Sequence, residues 1–593
     1  MKNTTNEIKT PIIYTNEASC RDCYRCVRAC PVNAIRLVEG QASVDRDKCI
    51  LCGTCLRECP QGAKSFRNDL EKVKRLLNDD YYVAVSIAPS FPSLFEDWQI
   101  KRVPSLLRKL GFAYVAETAE AAYFVAKESV KYIGCNGSSE CYTSACPSFV
   151  NMVEKYYPEK IDSLIPVVSP MIAHGRRLKT KLGKDVKVVF IGPCLAKKEE
   201  AERPSNLGAV DFVLTFTELF EWIKEEEIDF RNLEDSEFDD FVSGYARLFP
   251  IEGGLAKTAA LSTDLTDTNN FFVSGYDEIK DIISFFPTDK SKNFIEPLIC
   301  KSGCINGPGI PGDSNIFERK NRLQKYHRSI ENIEFEDKVI KTDYTTRYNH
   351  NLYLRKTKFT EESIRQVLEL TGKSNKEDEL NCGACGYGSC RENAIAVLQG
   401  MAETEMCIPY MRKLSEQRSD KIIETTPNGV VILDKELNII HMNPAFRKLF
   451  MCSNAILGKR ISYLTDPEPF VNLKEGDKNK IESTVRHENY KLTCHQILYK
   501  LNEVNQYVGI FVNITKNIAD VEKLDELKEK TIIKAQELMD HQINMAQQLA
   551  KLLGESTAKG EELVENLLQI TRDERIKKGG KGNNWLWDIY TQK

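Results

Sequence analysis

Residues 20–31 read Cys20-Arg-Asp-Cys23-Tyr-Arg-Cys26-Val-Arg-Ala-Cys30-Pro31, and residues 49–60 repeat the pattern as Cys49-Ile-Leu-Cys52-Gly-Thr-Cys55-Leu-Arg-Glu-Cys59-Pro60. Two-residue spacers let one loop wrap a cubane and aim three thiolates at three irons. The fourth ligand returns from the other run. The repeat therefore predicts one 4Fe-4S cluster on Cys20, Cys23, Cys26 and Cys59 and a second on Cys49, Cys52, Cys55 and Cys30. Each proline stops the chain from continuing its local helix. A pair of zinc knuckles is the alternative, but the repeated Cys-Pro closure is far more specific for iron–sulfur. The role of such a pair is electron relay.

Outward from this repeat, the whole chain has 593 residues, room for about three to six domains. It carries 20 cysteines, most of them in short clusters. Residues 1–15 show no apolar core with a small-residue cleavage site, so clustered cysteines read as metal ligands in a reducing cytoplasm, that of an anaerobe. No apolar run reaches the roughly 18 residues that span a bilayer. With 82 basic and 86 acidic residues the net charge is -4, which gives no support to nucleic-acid or membrane attraction.

The expected architecture is multidomain, α/β and α+β. Residues 1–75 hold the two-cluster domain. Residues 76–345 alternate strand-like runs, such as Tyr82–Ala88 and Val186–Gly192, with helical stretches, which argues an α/β domain. Residues 346–415 carry four more cysteines. Residues 416–515 show short strands with turn signals. Residues 516–575 are helical, and 576–593 form a basic, Gly-rich tail.

Four cysteines of the α/β region stand in separated loops. Cys146 lies in Thr143-Ser-Ala145-Cys146-Pro147, and Cys194 in Ile191-Gly192-Pro-Cys194-Leu-Ala-Lys197-Lys198-Glu199-Glu200. Cys300 and Cys304 lie in Glu296-Pro-Leu298-Ile-Cys300-Lys-Ser-Gly-Cys304-Ile-Asn-Gly307. Cys194 falls just past the carboxyl end of a predicted strand, where open α/β sheets hold ligands. Two single cysteines and one Cys-x-x-x-Cys pair can close a 4Fe-4S site between lobes.

These three loops, in this order, resemble the iron-only (FeFe) hydrogenases. The resemblance implies an H-cluster: a 4Fe-4S cubane on Cys146, Cys194, Cys300 and Cys304, joined through Cys304 to a diiron subcluster with CO and CN ligands. It implies that Lys197 contacts a cyanide of that unit. Ile87-Ala88-Pro89-Ser90 and Gly253-Gly254 resemble the family's pocket segments. There are departures. Ala145 stands where the family has its proton-donating cysteine, and Gly192 and Leu298 stand where methionines commonly flank the diiron unit. A missing acid costs roughly 10²–10⁴ in rate. Glu252, Glu140, Cys141 and Ser144 are the candidate replacements, with Glu252 foremost. The Ala145 pattern resembles the sensory-type hydrogenases. Iron–sulfur assembly proteins that keep the cubane without a diiron unit are the alternative, and Lys197 argues against them.

Cys382-Gly-Ala-Cys385-Gly-Tyr-Gly-Ser-Cys390, followed by Cys407, resembles a small 4Fe-4S domain of corrinoid and carbon-monoxide-metabolising proteins, with zinc as the alternative. Cys135, Cys141, Cys452 and Cys494 have no partner spacing. Pro427-Asn-Gly-Val-Val-Ile-Leu433, Ile439-Ile-His441-Met-Asn443-Pro-Ala-Phe446 and Val508–Ile514 resemble a PAS domain, which implies a five-stranded antiparallel sheet. His441 as a haem ligand is weighed against a merely packed or exposed histidine, and no cofactor is assigned to this domain. Val521, Leu524, Thr531, Ala535, Leu538, Met545, Leu549 and Leu552 follow a 3–4 spacing that predicts an imperfect coiled coil or a helix packed on its own chain.

Together these features lead to the expectation of a sensory-type hydrogenase with slow hydrogen oxidation or proton reduction. Its expected partners are a ferredoxin-like electron carrier, hydrogen and protons, the hydrogenase maturation proteins, a downstream signalling protein and a second copy of the chain bound through the PAS domain and coiled coil. The alternatives are a cubane-only redox scaffold and a metabolic ferredoxin-linked hydrogenase.

Overall fold

The strand Val83–Ile87 is buried at all five positions. Continuous burial is what a parallel strand covered on both faces requires. Its sheet is parallel throughout, in the order Tyr114–Glu117, Val83–Ile87, Lys187–Gly192, Phe212–Thr215. The helices Val103–Lys109, Pro170–Leu182 and Phe216–Glu225 pack on it. This is a computed structural model that describes residues 10–135, 140–240, 244–264, 269–285, 293–312, 314–329, 341–354, 357–476, 478–503, 505–515, 531–540 and 542.

A second parallel sheet has the order Asn270–Ser274, Asn293–Leu298, Glu140–Tyr142. Its core gathers Phe149, Ile279, Ile295 and Ile299, and Ile50 of the cysteine repeat joins it. The repeat itself is a small antiparallel body. Ile13–Thr15 pairs with Lys64–Phe66, and Ile35–Val38 pairs with Gln41–Val44. Its two short helices, Arg25–Ala29 and Thr54–Glu58, each follow a left-handed residue, Tyr24 at φ 55° and Gly53 at φ 72°. Gly53 is also a contact point, because a Cβ there would lie 2.3 Å from the Cβ of Pro308. Only glycine lets the second cysteine loop seat this closely on the α/β region.

The chain divides into two compact units, residues 1–404 and 405–593. The first holds both sheets, the cysteine repeat, and the helices Glu361–Leu370 and Cys390–Leu398, which share a core of Ile364, Val367, Leu368 and Ala394. The second is built on a five-stranded antiparallel sheet in the order Ile439–Met442, Gly429–Leu433, Gln506–Asn513, Leu492–Leu501, Lys480–His487. Asn443 ties it together. Its Oδ1 accepts the N–H groups of Val430 and Phe446, and its Nδ2 donates to the carbonyls of Ile423 and Asn428. His441 is exposed on its strand. Cys494 is buried in the core of this unit, and Cys452 approaches the Met442 sulfur at 3.8 Å.

The predicted coiled coil of 516–575 lies outside the described residues except for 531–540 and 542, as does the whole tail. In the described turns, Ala535 and Met539 pack on Ile497, Ile510, Val512 and Ile514 of the sheet. Among the described residues, no helix is long and apolar enough to cross a membrane.

Charge is also buried in the first unit. Arg177 donates from Nε and Nη2 to Glu120 Oε1 at 3.2 and 2.7 Å, and His174 Nε2 lies 3.4 Å from Glu120 Oε2. Burial by itself would raise the Glu120 carboxyl, but His174 and Arg177 outweigh it and hold it down at about 2. The folded value is thus below the ordinary 4.5, so this stabilisation is complete above about pH 4.5 and is lost as pH falls towards 2. Glu120→Gln leaves Arg177 buried without its counter-charge and is expected to cost about 3–5 kcal/mol. Denaturant unfolding of the variant at pH 7 measures it.

Candidate metal centres

Each candidate ligand of the α/β region stands where a strand ends. Cys146 caps the helix Pro147–Tyr156 just after the strand Glu140–Tyr142. Cys194 follows Lys187–Gly192 and precedes the helix Ala196–Glu202. Cys300 and Cys304 follow Asn293–Leu298. Two sheets therefore bring their carboxyl ends to one place, as open α/β folds do at a ligand site. Ser302 and Gly303 both take positive φ, 67° and 85°, which turns the chain so that Cys304 N donates to the Pro250 carbonyl at 2.7 Å. A Cβ on Gly303 would lie 2.2 Å from that same oxygen.

The four thiols feel one another. Burial pushes the Cys194 thiol up to about 12, and Cys146 adds to it. Burial raises Cys300 well above its ordinary value, with Cys194, Cys304 and Cys146 adding. Burial raises Cys304 too, followed by Cys146 and Cys194. Lys197 opposes the shift at Cys146, Cys194 and Cys304, so its ammonium faces three of the four. That ammonium lies 2.8 Å from Glu200 Oε2 and 3.4 Å from the Ala145 carbonyl.

The cysteine repeat divides in the same way. Burial raises the Cys26 thiol; Lys64 opposes it, and Cys23, Cys20 and Cys59 reinforce it. Burial pushes Cys30 up to about 11 and Cys49 up to about 12, and both sense Cys52. Cys55 is raised by burial, then by Cys52, Cys49 and Cys30. Cys26 thus feels Cys59 of the second run, Cys49 and Cys55 feel Cys30 of the first, and Cys30 feels both Cys52 and Cys26. Backbone N–H groups of Ala34 and Ala63 donate to the Cys30 and Cys59 sulfurs, each at 3.2 Å.

These donor sets fit iron–sulfur clusters. Buried thiols held against one another are costly as thiolates unless a cation sits among them, and metal binding displaces their protons. Near the α/β site, Ser90 Oγ is buried with no hydrogen-bond partner among the described residues, a donor left for a bound group. Ala88 is buried beside it, and Pro89 lies between them. Gly253, at φ 71°, starts the turn Gly254–Thr258, and a Cβ on Gly254 would lie 2.0 Å from the Leu248 carbonyl oxygen. At Gly192 a Cβ would lie 2.5 Å from the Phe190 ring, so that ring fills the space a longer side chain there would need.

The polar candidates separate clearly. Glu140 is paired with Lys160 at 2.7 Å, and Ser144 donates to the Val167 carbonyl at 2.6 Å. Cys141 is buried. Glu252 is exposed and accepts the hydroxyl of Ser274, whose oxygen accepts the Ser302 N–H at 3.0 Å. The residue that sequence reasoning missed is Glu296. It is buried on its strand and accepts the N–H groups of Leu255 and Ala256, both at 3.1 Å. Burial raises its carboxyl to about 7 against those two bonds, and the nearby Glu252 charge adds to the rise. The signal was a lone carboxylate in the otherwise uncharged strand Asn293–Leu298.

In the third set, Gly383 and Gly386 take φ of 68° and 93°, and Cys390 opens the helix Cys390–Leu398 with its N–H on Asn381 Oδ1 at 2.8 Å. Cys407 falls in the second unit.

A family model for the iron only hydrogenase large subunit, C-terminal domain, matches residues 81–308, and one for a 4Fe-4S dicluster domain matches 19–63. An Fe-S cluster model matches 378–409, and a PAS domain model matches 417–484. Iron hydrogenase 1 of Clostridium pasteurianum is 30% identical over 389 residues, which are 49% of this chain and 68% of that protein. The cytosolic Fe-S cluster assembly factor NAR1 of Vanderwaltozyma polyspora is 29% identical over 230 residues, 35% of this chain and 42% of that protein. The solved FeFe-hydrogenase HydA1 of Chlamydomonas reinhardtii aligns at 18% identity with a TM-score of 0.35, covering 43% of this chain and 88% of that one.

The crossed grouping is testable. Cys30→Ser is expected to abolish the electron paramagnetic resonance signal of the cubane on Cys49, Cys52 and Cys55 and to spare the other. Cys59→Ser is expected to do the reverse.

Proposed function

The chain belongs to the iron-only hydrogenase family, and from that premise we propose a hydrogen-responsive redox protein that turns hydrogen over slowly and passes its redox state to the PAS module. The observation that carries this reading is the pairing of Lys197, facing three of the four site thiols, with Ala145 directly before the first of them. Lys197 serves a bound group beyond a cubane, and Ala145 removes the acid that would make the group fast.

When bound, the H-cluster supplies the metal centre at which hydrogen is split or formed. Cys146, Cys194, Cys300 and Cys304 would hold its cubane, and Cys304 would bridge to the diiron unit. Lys197, paired with Glu200, would orient that unit through its ammonium. Ala88, Pro89, Ser90, Gly253 and Gly254 line the pocket, and the Ser90 hydroxyl is free to donate. Protons move by carboxylates in place of a thiol. Glu296 takes the proton at its buried carboxylate, and Glu252, exposed and bonded to Ser274, passes it to solvent. A group that ionises near the operating pH suits this task.

Sixteen cysteines give four cubanes on this reading, with Cys382, Cys385, Cys390 and Cys407 holding the last. The reading also includes a cytoplasmic setting, a ferredoxin-like electron partner, the maturation proteins, a homodimer and a separate signalling partner. A second reading is a cubane-only scaffold. The similarity to NAR1 favours it, as does the ion pair that Lys197 already makes with Glu200.

Hydrogen oxidation by the matured full chain, followed with a dye acceptor, tests the proposal. Wild-type turnover is expected to be slow and Ala145→Cys faster by about 10²-fold, in the range a positioned acid supplies. A base must be deprotonated to accept, so the wild-type rate is expected to climb as pH rises through about 7, where Glu296 ionises. Glu296→Gln is expected to lower the rate and flatten that climb. Fast wild-type turnover, or no gain in Ala145→Cys, contradicts the reading.

A further inference from the structure

The loop Cys382 to Cys390 shares a compact unit with the cysteine repeat and touches it. Arg28, on the helix between Cys23 and Cys30, donates from Nη2 to the Cys23 carbonyl at 3.1 Å and from Nη1 to the Ala384 carbonyl at 3.4 Å. One guanidinium thus bridges a ligand of the repeat and the residue beside Cys385. Gly386 carries the contact closer. It sits at φ 93°, and a Cβ there would lie 3.1 Å from both Arg28 N and Val27 Cγ1. Next to it Tyr387 is buried, its hydroxyl has no hydrogen-bond partner among the described residues, and its ring senses both Cys385 and Cys30.

A second strip fixes the same two bodies. Arg36 Nε donates to the Gly400 carbonyl at 2.9 Å, Leu37 N to the Met401 carbonyl at 3.1 Å, and Gly40 N to Glu403 Oε2 at 3.1 Å. On its other side the repeat meets the α/β site. Arg57 Nη1 donates to the Asn306 carbonyl at 2.8 Å, and the Cys300 thiol senses Arg57. The repeat therefore lies between the α/β site and the loop 382–390, and packed side chains and direct hydrogen bonds link each pair of neighbours.

We propose that the loop 382–390 is the electron outlet of the cysteine repeat, coupled to it through the contact of Val27 and Arg28 with Gly386 and Tyr387. In the step one electron leaves a cubane of the repeat, which is oxidised, and enters the cubane of the loop, which is reduced. No bond forms or breaks, and the electron originates from whatever reduces the repeat, hydrogen at the α/β site or an added chemical reductant. Arg28 and Tyr387 are positioning residues here. They hold two ligand loops in contact, and Arg28 adds a fixed positive charge between them. The proposal deepens the function proposed above but rests only on its iron–sulfur part, so it stands or falls without the diiron unit.

The test uses the full chain, reconstituted anaerobically with iron and sulfide only and reduced with dithionite. Electron paramagnetic resonance of the fully reduced protein is expected to show spin–spin broadening of the repeat's signals. Cys382→Ser is expected to narrow those signals to the coupling that the repeat's own two cubanes give each other, and to lose one cubane's iron. Gly386→Val forces the loops apart and is expected to weaken the broadening while iron and acid-labile sulfide stay at wild-type level. If Gly386→Val loses a cluster, Arg28→Gln, which stays polar but removes the charge and the bridge, is expected to shift the midpoint potential of the loop's signal. Identical repeat signals in wild type and Cys382→Ser overturn the proposal, as does a wild type that holds no cluster on the loop. Loss of hydrogen turnover with coupling intact overturns only the hydrogenase reading.

Discussion

Thiols crowded together away from water set the terms for this protein. In the first unit, one group of four cysteines stands where two sheets meet, and two further groups of four stand in the repeat beside it. Burial raises the thiols of Cys26, Cys30, Cys49, Cys55, Cys146, Cys194, Cys300 and Cys304 above their ordinary value. Without a cation among them such groups stay protonated and strain the packing around them. With one, they become the anchor on which the surrounding loops converge, and binding and folding become one event. Tyr24 and Ser302 hold positive φ beside the cysteines, while Gly53 and Gly303 take it without steric cost, and the missing Cβ of Gly53 lets that loop approach Pro308.

From that constraint the layout follows. The α/β sheets bring Cys146, Cys194, Cys300 and Cys304 to their carboxyl ends, and the repeat is seated against them by Gly53 and Arg57. The loop 382–390 is seated against the repeat by Arg28 and Gly386. The α/β site, the repeat and the loop 382–390 are then arranged in sequence within one compact unit. The PAS unit has its own core, held by the fully bonded Asn443 and by Phe446, Phe450 and Phe511.

Much of this was legible in the residues. The crossed grouping of Cys30 and Cys59 is the expectation that the two-cluster pattern carries, in which the fourth cysteine of each run serves the other cluster. The strand before Cys194 was visible as an apolar run, and the PAS sheet as short strands with turn signals. The burial of Glu296 was not legible, since it depends on the short helix Gly254–Thr258 folding back over it. The engagement of Glu140 and Ser144 was equally hidden, because Lys160 and the Val167 carbonyl come from distant parts of the chain. Nor could sequence tell that Phe190 fills the space beside Gly192, a contact made between positions two apart on one strand.

The central claim is that the fourfold thiol site of the α/β region carries an H-cluster attended by Lys197. Infrared spectroscopy of the full chain, produced with the hydrogenase maturation proteins, tests it most directly. The account predicts carbonyl and cyanide stretching bands that shift when hydrogen replaces argon, with the cyanide bands displaced in Lys197→Ala. A protein with its full complement of cubanes and no such bands would contradict it.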